Sequence, residues 1–178
     1  MSKVWVVSDA HWGHKNILKY RPEFSEIYDH DWVIMENILQ SVNKRDTLWM
    51  LGDMFFDLDS LKFARSLRSH VKYIHFVLGN HDSDNNKRQE VLRSIIAEDL
   101  VDKIHGLAKV NGVWMSHAPI HPDELRGKPN IHGHVHKCTL DDKRYFNACV
   151  DVNEYGPVAF QEIRGGSLLY TLRGECTE

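Results

Sequence analysis

Cysteine is scarce in this chain: Cys138, Cys149 and Cys176 are the only three in 178 residues, and none form a CxxC pair. That argues against a disulfide-dense secreted scaffold and sets the expectation of reduced thiols in a cytoplasmic protein. Long hydrophobic runs are missing too. No stretch approaches the ~18 apolar residues of a membrane-spanning helix, and residues 1–8 lack the apolar core of a signal peptide, so no membrane partner is expected. An excess of positive charge is also absent. A net charge of −3 and a pI near 6.4 argue against a stable electrostatic grip on nucleic acid. No repeat, low-complexity tract or linker interrupts the sequence. With 42% hydrophobic and 26% charged residues, the expectation is one compact domain spanning residues 1–178.

One residue type is in excess. The chain has twelve histidines, and histidine is both the commonest metal ligand and the usual acid/base. Their placement is informative. The apolar run His75 to Leu78 stops at Gly79 and delivers Asn80, His81 and Asp82 at once, as a buried strand does when it presents polar groups from its carboxyl end. Val4 to Ser8 is another apolar run, ending in Asp9-Ala10-His11, where the i, i+2 spacing puts carboxylate and imidazole on one side. Thr47 to Leu51 ends in Gly52-Asp53. Val113 to Ser116 ends in His117, and Ile131 to His136 carries His132, His134 and His136 around Gly133.

The intervening segments supply the frame. Apolar residues at three- and four-residue steps predict helices over about Asp29 to Val42, with Trp32 and Met35 in the core, over Asp59 or Ser60 to Ser69, and over Asn85 to Asp99. Asn111-Gly112 between two apolar arms predicts a hairpin. Tyr145 to Asp151 and Ser167 to Arg173 read as further strands, with a short helix opening at Pro157.

Collected, the strand ends hold Asp9, His11, Asp53, Asn80, His81, His117, His134 and His136, an oxygen-and-imidazole set large enough for two metal ions. Carboxylate with imidazole, and no thiolate, suits Mn²⁺, Fe or Zn²⁺ in a catalytic role.

The order of these blocks resembles the calcineurin-like metallophosphoesterases. Their signature of DxH, GD, GNH followed by D or E, a lone H, and GHxH is matched by Asp9-Ala10-His11, Gly52-Asp53, Gly79-Asn80-His81-Asp82, His117 and Gly133-His134-Val135-His136. Asn147 to Val152 is also similar to small bacterial and phage members. The resemblance implies an α/β (α+β) fold, a four-layer sandwich of two mixed β-sheets flanked by helices. It implies two divalent metal ions, Mn²⁺ favoured with Fe, Zn²⁺ or Ni²⁺ as other candidates. Asp9, His11 and His136 would hold one, Asn80, His117 and His134 the other, and Asp53 would bridge.

The implied activity is hydrolysis of a phosphodiester or phosphomonoester, the substrate being small and nucleotide-like, by a metal-bridging hydroxide with His81 assisting the leaving group. The alternative is a non-catalytic binding or scaffold protein on the same fold. After Gly52-Asp53 the chain continues Met54-Phe55-Phe56-Asp57-Leu58, not Tyr-Val-Asp-Arg-Gly as in the serine/threonine protein phosphatase branch, which argues against protein phosphatase activity. For substrate contacts the expectation falls on His14, Lys15 and Arg21, with Arg21 favoured for its planar fork; a solvated charged face is the competing reading.

Overall fold

The computed structural model describes residues 2–164; the strand expected over Ser167 to Arg173 and Cys176 lie outside them. In chain order the strands are β1 (Val4–Val7), β2 (Thr47–Met50), β3 (Tyr73–Val77), β4 (Lys103–His105), β5 (Ala108–Val110), β6 (Val113–Met115), β7 (Asn130–His132), β8 (Tyr145–Asn147) and β9 (Val158–Ala159). The helices are α1 (Ile27–Ser41), α2 (Leu61–His70), α3 (Asn86–Ala97) and α4 (Phe160–Arg164). The strands form two mixed sheets. One runs β4-β3-β2-β1-β9, parallel except for β9; the other runs β5-β6-β7-β8, parallel except for β5. Among the described residues no helix is long and apolar enough to cross a membrane.

The period-2 geometry of β1 shows why its apolar run is unbroken. Val7 joins a cluster with Ile34, Met35 and Ile38 of α1, Phe63 and Leu67 of α2 and Ile95 of α3, while Val6 joins Met115, Ile131 and Phe146 of the second sheet. Helices α1 to α3 therefore cover one face of the larger sheet, and the smaller sheet covers the other. A 3₁₀ turn, Pro122–Leu125, lies beside the smaller sheet. Its Leu125 carbonyl accepts a hydrogen bond from the Trp114 indole N–H at 3.2 Å.

Helix α1 begins behind Glu26 with no side-chain cap, not at Asp29 as expected. A cap is worth about 1 kcal/mol, whereas each large apolar side chain buried is worth about 1.5–3 kcal/mol, so the buried trio Ile34, Met35 and Ile38 sets the helix position. Trp32 is 36% exposed and is not core. Helix α3 starts one residue after the expected position, with the Asn85 side chain capping it by accepting from the Arg88 N–H.

The hairpin forms as read, with Asn111 (φ +47°) and Gly112 (φ +84°) both left-handed, as a type I′ turn requires. Pro157 opens β9 instead of a helix, since β1 offers Val158 and Ala159 a free edge; the helix follows at Phe160. Strands β4 and β9, of three and two residues, were too short to show a period. Cys149 is a buried free thiol.

Candidate metal centre

The carboxyl ends of β1, β2, β3, β6 and β7 meet because their tails go on pairing after the strands stop. Asp9 N–H donates to Gly52 O (3.1 Å), His11 N–H to Asp53 O (3.0 Å) and Gly133 N–H to His117 O (2.7 Å). To turn their side chains inward, Asp9, His11, Asp53, His134 and His136 all adopt left-handed backbone, with φ between +48° and +74°. That conformation is uncommon outside glycine and costs of order 1–3 kcal/mol per residue. Its concentration at five residues of the expected ligand set marks the place where the fold gives up stability for side-chain direction.

The glycines of the motifs are required by the same crowding. A Cβ on Gly79 would stand 2.2 Å from Asp53 Oδ1, one on Gly133 would stand 1.9 Å from Ser8 Oγ, and one on Gly52 would stand 2.6 Å from His117 Nδ1.

Two groups of donor atoms result, Asp9 with His11 and His136, and Asp9 with Asp53 and His117, each within 4.8 Å. In the first, Asp9 Oδ2 is fully engaged, accepting from Ser8 Oγ (2.6 Å), His134 N–H (2.8 Å) and Cys149 Sγ (3.2 Å). Its Oδ1 is buried without a hydrogen-bond partner, as is His11 Nε2. These two atoms lie 3.7 Å apart, and His136 Nε2 is 3.8 Å from the same Oδ1. His136 is oriented by its Nδ1–H, which donates to Asp151 Oδ2 at 3.0 Å, leaving the Nε2 lone pair facing Asp9. Burial holds His11 neutral, below its ordinary pKa. Three atoms able to ligate a metal thus converge on one spot, two of them buried without a hydrogen-bond partner, an arrangement a cation would satisfy.

In the second group His117 is central. Its Nδ1–H donates to Leu51 O (2.8 Å), and its Nε2 sits 2.9 Å from Asn80 Oδ1, 3.2 Å from His134 Nδ1 and 3.4 Å from Asp53 Oδ2. Burial disfavours a charge on His117, but the Asp53 carboxylate and the Asp9 charge outweigh it and hold the metal-free pKa at about 9.

A raised histidine contributes stability that is fully present below the unfolded pKa and is lost as pH climbs through the folded one. Metal-free protein is therefore expected to lose stability from about pH 6.5 to about 9 on account of His117. A divalent ion must displace that proton, so its affinity should rise over the same interval. Melting temperatures against pH, with and without Mn²⁺, check both; a flat metal-free profile would contradict the assignment.

Arg21 corrects an expectation. It is fully buried, 0% exposed, and its guanidinium is engaged throughout: Nε and Nη2 with Asp151 (2.9 and 2.7 Å), Nη2 with Asp9 O (2.7 Å), Nη1 with Ala10 O (3.3 Å) and His30 Nε2 (2.6 Å). It cannot grip a substrate. Instead it fixes Asp151, hence His136, and clamps the carbonyls flanking the left-handed Asp9. His14 does border the site, its ring stacked on Phe56 at 4.3 Å and its Nδ1 3.3 Å from that of His11; burial and the neighbouring His11 lower its pKa to about 4. Lys15 is exposed on a 3₁₀ turn, Lys15–Lys19.

His81 stands apart from the converging atoms, 43% exposed, with Nδ1 2.8 Å from Asp84 Oδ2. Asp84 is a partner that sequence reading missed, although its i+3 offset from His81 was the available signal. Asp82 is buried and ties two turns together, its Oδ2 accepting from the N–H groups of Gly79 (2.6 Å) and Asp53 (3.0 Å); burial raises its pKa to about 6. His132 is buried, with its Nδ1 2.9 Å from Gly133 O, its ring edge-on to Tyr145 and its Nε2 without a hydrogen-bond partner. His121 is exposed, and His30, His70, His75 and His105 have interior or stacking partners.

No protein-family model matches the chain. It is similar to the uncharacterized protein MJ1445 of Methanocaldococcus jannaschii, at 28% identity over 92% of this chain and 90% of that one. It is similar to the Gene 66 protein of Mycobacterium phage L5, at 27% identity over 76% of this chain and 78% of the other. Among solved structures it is similar to the protein of unknown function AQ665 from Aquifex aeolicus, with a TM-score of 0.71 and 26% identity over 93% of this chain and 99% of that one. None of these names states an activity, so what the likeness supports is a fold shared over most of the chain.

Proposed function

We propose that the chain is a calcineurin-like metallophosphoesterase, a hydrolase of small phosphate esters that works with two divalent ions, Mn²⁺ favoured. The observation that carries this reading is the pair of buried polar atoms without hydrogen-bond partners, Asp9 Oδ1 and His11 Nε2, 3.7 Å apart beside His136 Nε2. A buried polar atom left without a partner costs about 1–3 kcal/mol, and a bound cation would offset that cost at both.

Asp9, His11 and His136 would hold one ion, Asn80, His117 and His134 the other, and Asp53 would bridge. Two ions so placed would lower the pKa of water and neutralise phosphate charge. The chain's own residues do the rest. Asp151 holds His136 by Nδ1–H, and Leu51 O holds His117 by Nδ1–H, so that both imidazoles present Nε2. Burial, and next the charge on His117, keep His134 neutral, as a ligand must be. His81, outside both groups, can give a proton to the departing oxygen while Asp84 steadies its ring.

Purified protein should hydrolyse a simple aryl phosphate ester, lose that activity on chelation and regain it better with Mn²⁺ than with Mg²⁺, because imidazole ligands disfavour a hard oxygen-seeking ion. Full activity in metal-free protein would refute the reading, and so would none in metal-loaded protein across a panel of esters. His81→Ala should slow turnover by ~10²–10⁴ with metal content unchanged, most for poor leaving groups. Asp84→Asn should cost less, because the imidazole stays and only the partner that steadies its ring is weakened. Loss of metal from His81→Ala would show that His81 is a ligand instead.

A further inference from the structure

We infer that His14 is a positioning residue for the metal ligand His11, accepting a hydrogen bond from His11 Nδ1–H and so fixing which nitrogen of that ring faces the ion; this rests on the two-metal phosphoesterase reading above. His11 Nε2 lies 3.7 Å from Asp9 Oδ1 and has no hydrogen-bond partner, while the other ring nitrogen, Nδ1, lies 3.3 Å from His14 Nδ1. The two ends of the ring thus have different neighbours. A neutral imidazole carries one proton, and a nitrogen that offers its lone pair to a metal cannot keep it. With Nε2 committed to the ion, the His11 proton sits on Nδ1. His14 Nδ1 then has to accept from it, which places the His14 proton on Nε2.

The fold fixes the His14 ring from both ends. Gly13 takes a left-handed φ of +79° and donates its N–H to Asp31 Oδ2 at 3.0 Å, and the His14 N–H closes the turn onto His11 O at 3.0 Å. A side chain at Gly13 would collide, its Cβ standing 2.6 Å from Asp57 Oδ1. Phe56, buried and tied by its N–H to Trp12 O at 2.8 Å, supports the His14 ring from below, with ring centres 4.3 Å apart and planes 18° from parallel. The i+3 position is thereby brought back over His11.

Two other imidazoles of the expected ligand set are held by the same device, His136 through Nδ1 by Asp151 Oδ2 and His117 through Nδ1 by Leu51 O. Each acceptor orients a ring and sets its tautomer so that Nε2 is left for the ion. At His11 that acceptor is a neighbouring imidazole.

Two substitutions divide the acceptor from the ring. His14→Phe keeps an aromatic face on Phe56 and removes the acceptor, whereas His14→Asn gives up the ring and returns an oxygen acceptor close to the Nδ1 position. Mn²⁺ titrated calorimetrically into chelated protein should bind about 10–100-fold more weakly at one of the two sites in His14→Phe, and His14→Asn should recover most of that loss. A ring that mattered only for packing would give the reverse order. The proton itself is read on Zn²⁺-loaded wild type by nitrogen-15 NMR of the histidine side chains, where His11 should carry its proton on Nδ1, coupled across the hydrogen bond to His14 Nδ1. That measurement decides the matter even if a variant fails to fold. A His11 proton on Nε2 or uncoupled to His14, His14→Phe binding as tightly as wild type, or His14→Asn faring no better than His14→Phe overturns the inference and leaves the phosphoesterase reading standing. Wild-type protein that takes up no metal overturns both.

Discussion

Asp53→Asn is expected to strip the centre of metal and of activity while leaving the fold in place. Asp53 takes the left-handed conformation (φ +54°), which asparagine tolerates nearly as well, so the backbone turn should survive. Its N–H still donates to Asp82, and an amide oxygen can still accept from the His81 N–H, now 2.9 Å from Asp53 Oδ1. What disappears is the charge. A unit pair a few ångströms apart near a protein surface is worth about 4 kcal/mol, or roughly a thousandfold in affinity. His117, whose raised pKa depends on the Asp53 carboxylate, should also titrate lower in the metal-free variant. Elemental analysis and circular dichroism on the same sample check this. Native metal content in Asp53→Asn would show that the carboxylate is not a shared ligand.

Arg21→Ala should be the most destabilising substitution near the site. It leaves Asp151, buried and held well below the usual carboxylate range by His136 and Arg21, without its bidentate partner, and it strands the carbonyls of Asp9 and Ala10. Removing one partner of a buried pair typically costs about 3–5 kcal/mol, and at this chain length each kcal/mol lowers the melting temperature by about 2–4 °C. A fall of roughly 6–20 °C is expected by scanning calorimetry.

A second measurement separates structure from metal positioning. Arg21→Met with Asp151→Leu should recover much of the stability, because an apolar pair can replace a buried ionic one. It should still bind metal about 10–100-fold more weakly, because His136 loses the carboxylate that orients it. A small change for Arg21→Ala would mean that the guanidinium is not the clamp its contacts describe.

Much of the site could be read from residue order because its logic is local. An apolar strand followed by glycine and a polar residue recurs at Gly52-Asp53 and Gly79-Asn80, and the crowding at both glycines is the physical reason they are glycines. What stayed hidden is long-range. Arg21 looked like a surface cation next to His11, and only the pairing with Asp151, 130 residues away, makes it a buried clamp. The left-handed backbone at Asp9, His11, Asp53, His134 and His136 was equally invisible, since local propensity disfavours it and only tertiary pairing of the strand tails imposes it. The strand cores were legible where the run was apolar throughout, as in β1 to β3, and not in β4 and β9, which are defined by the edges they find.

The central claim is that the strand ends of two sheets build a two-metal centre, and metal stoichiometry tests it most directly. Chelated wild-type protein titrated with Mn²⁺, followed by calorimetry and elemental analysis, should take up two ions per chain. Asp9→Asn, which removes the carboxylate common to both donor groups, should take up none tightly. A wild-type chain that binds no Mn²⁺, Fe²⁺ or Zn²⁺ at pH 8, or an Asp9→Asn variant that binds as wild type does, would contradict it.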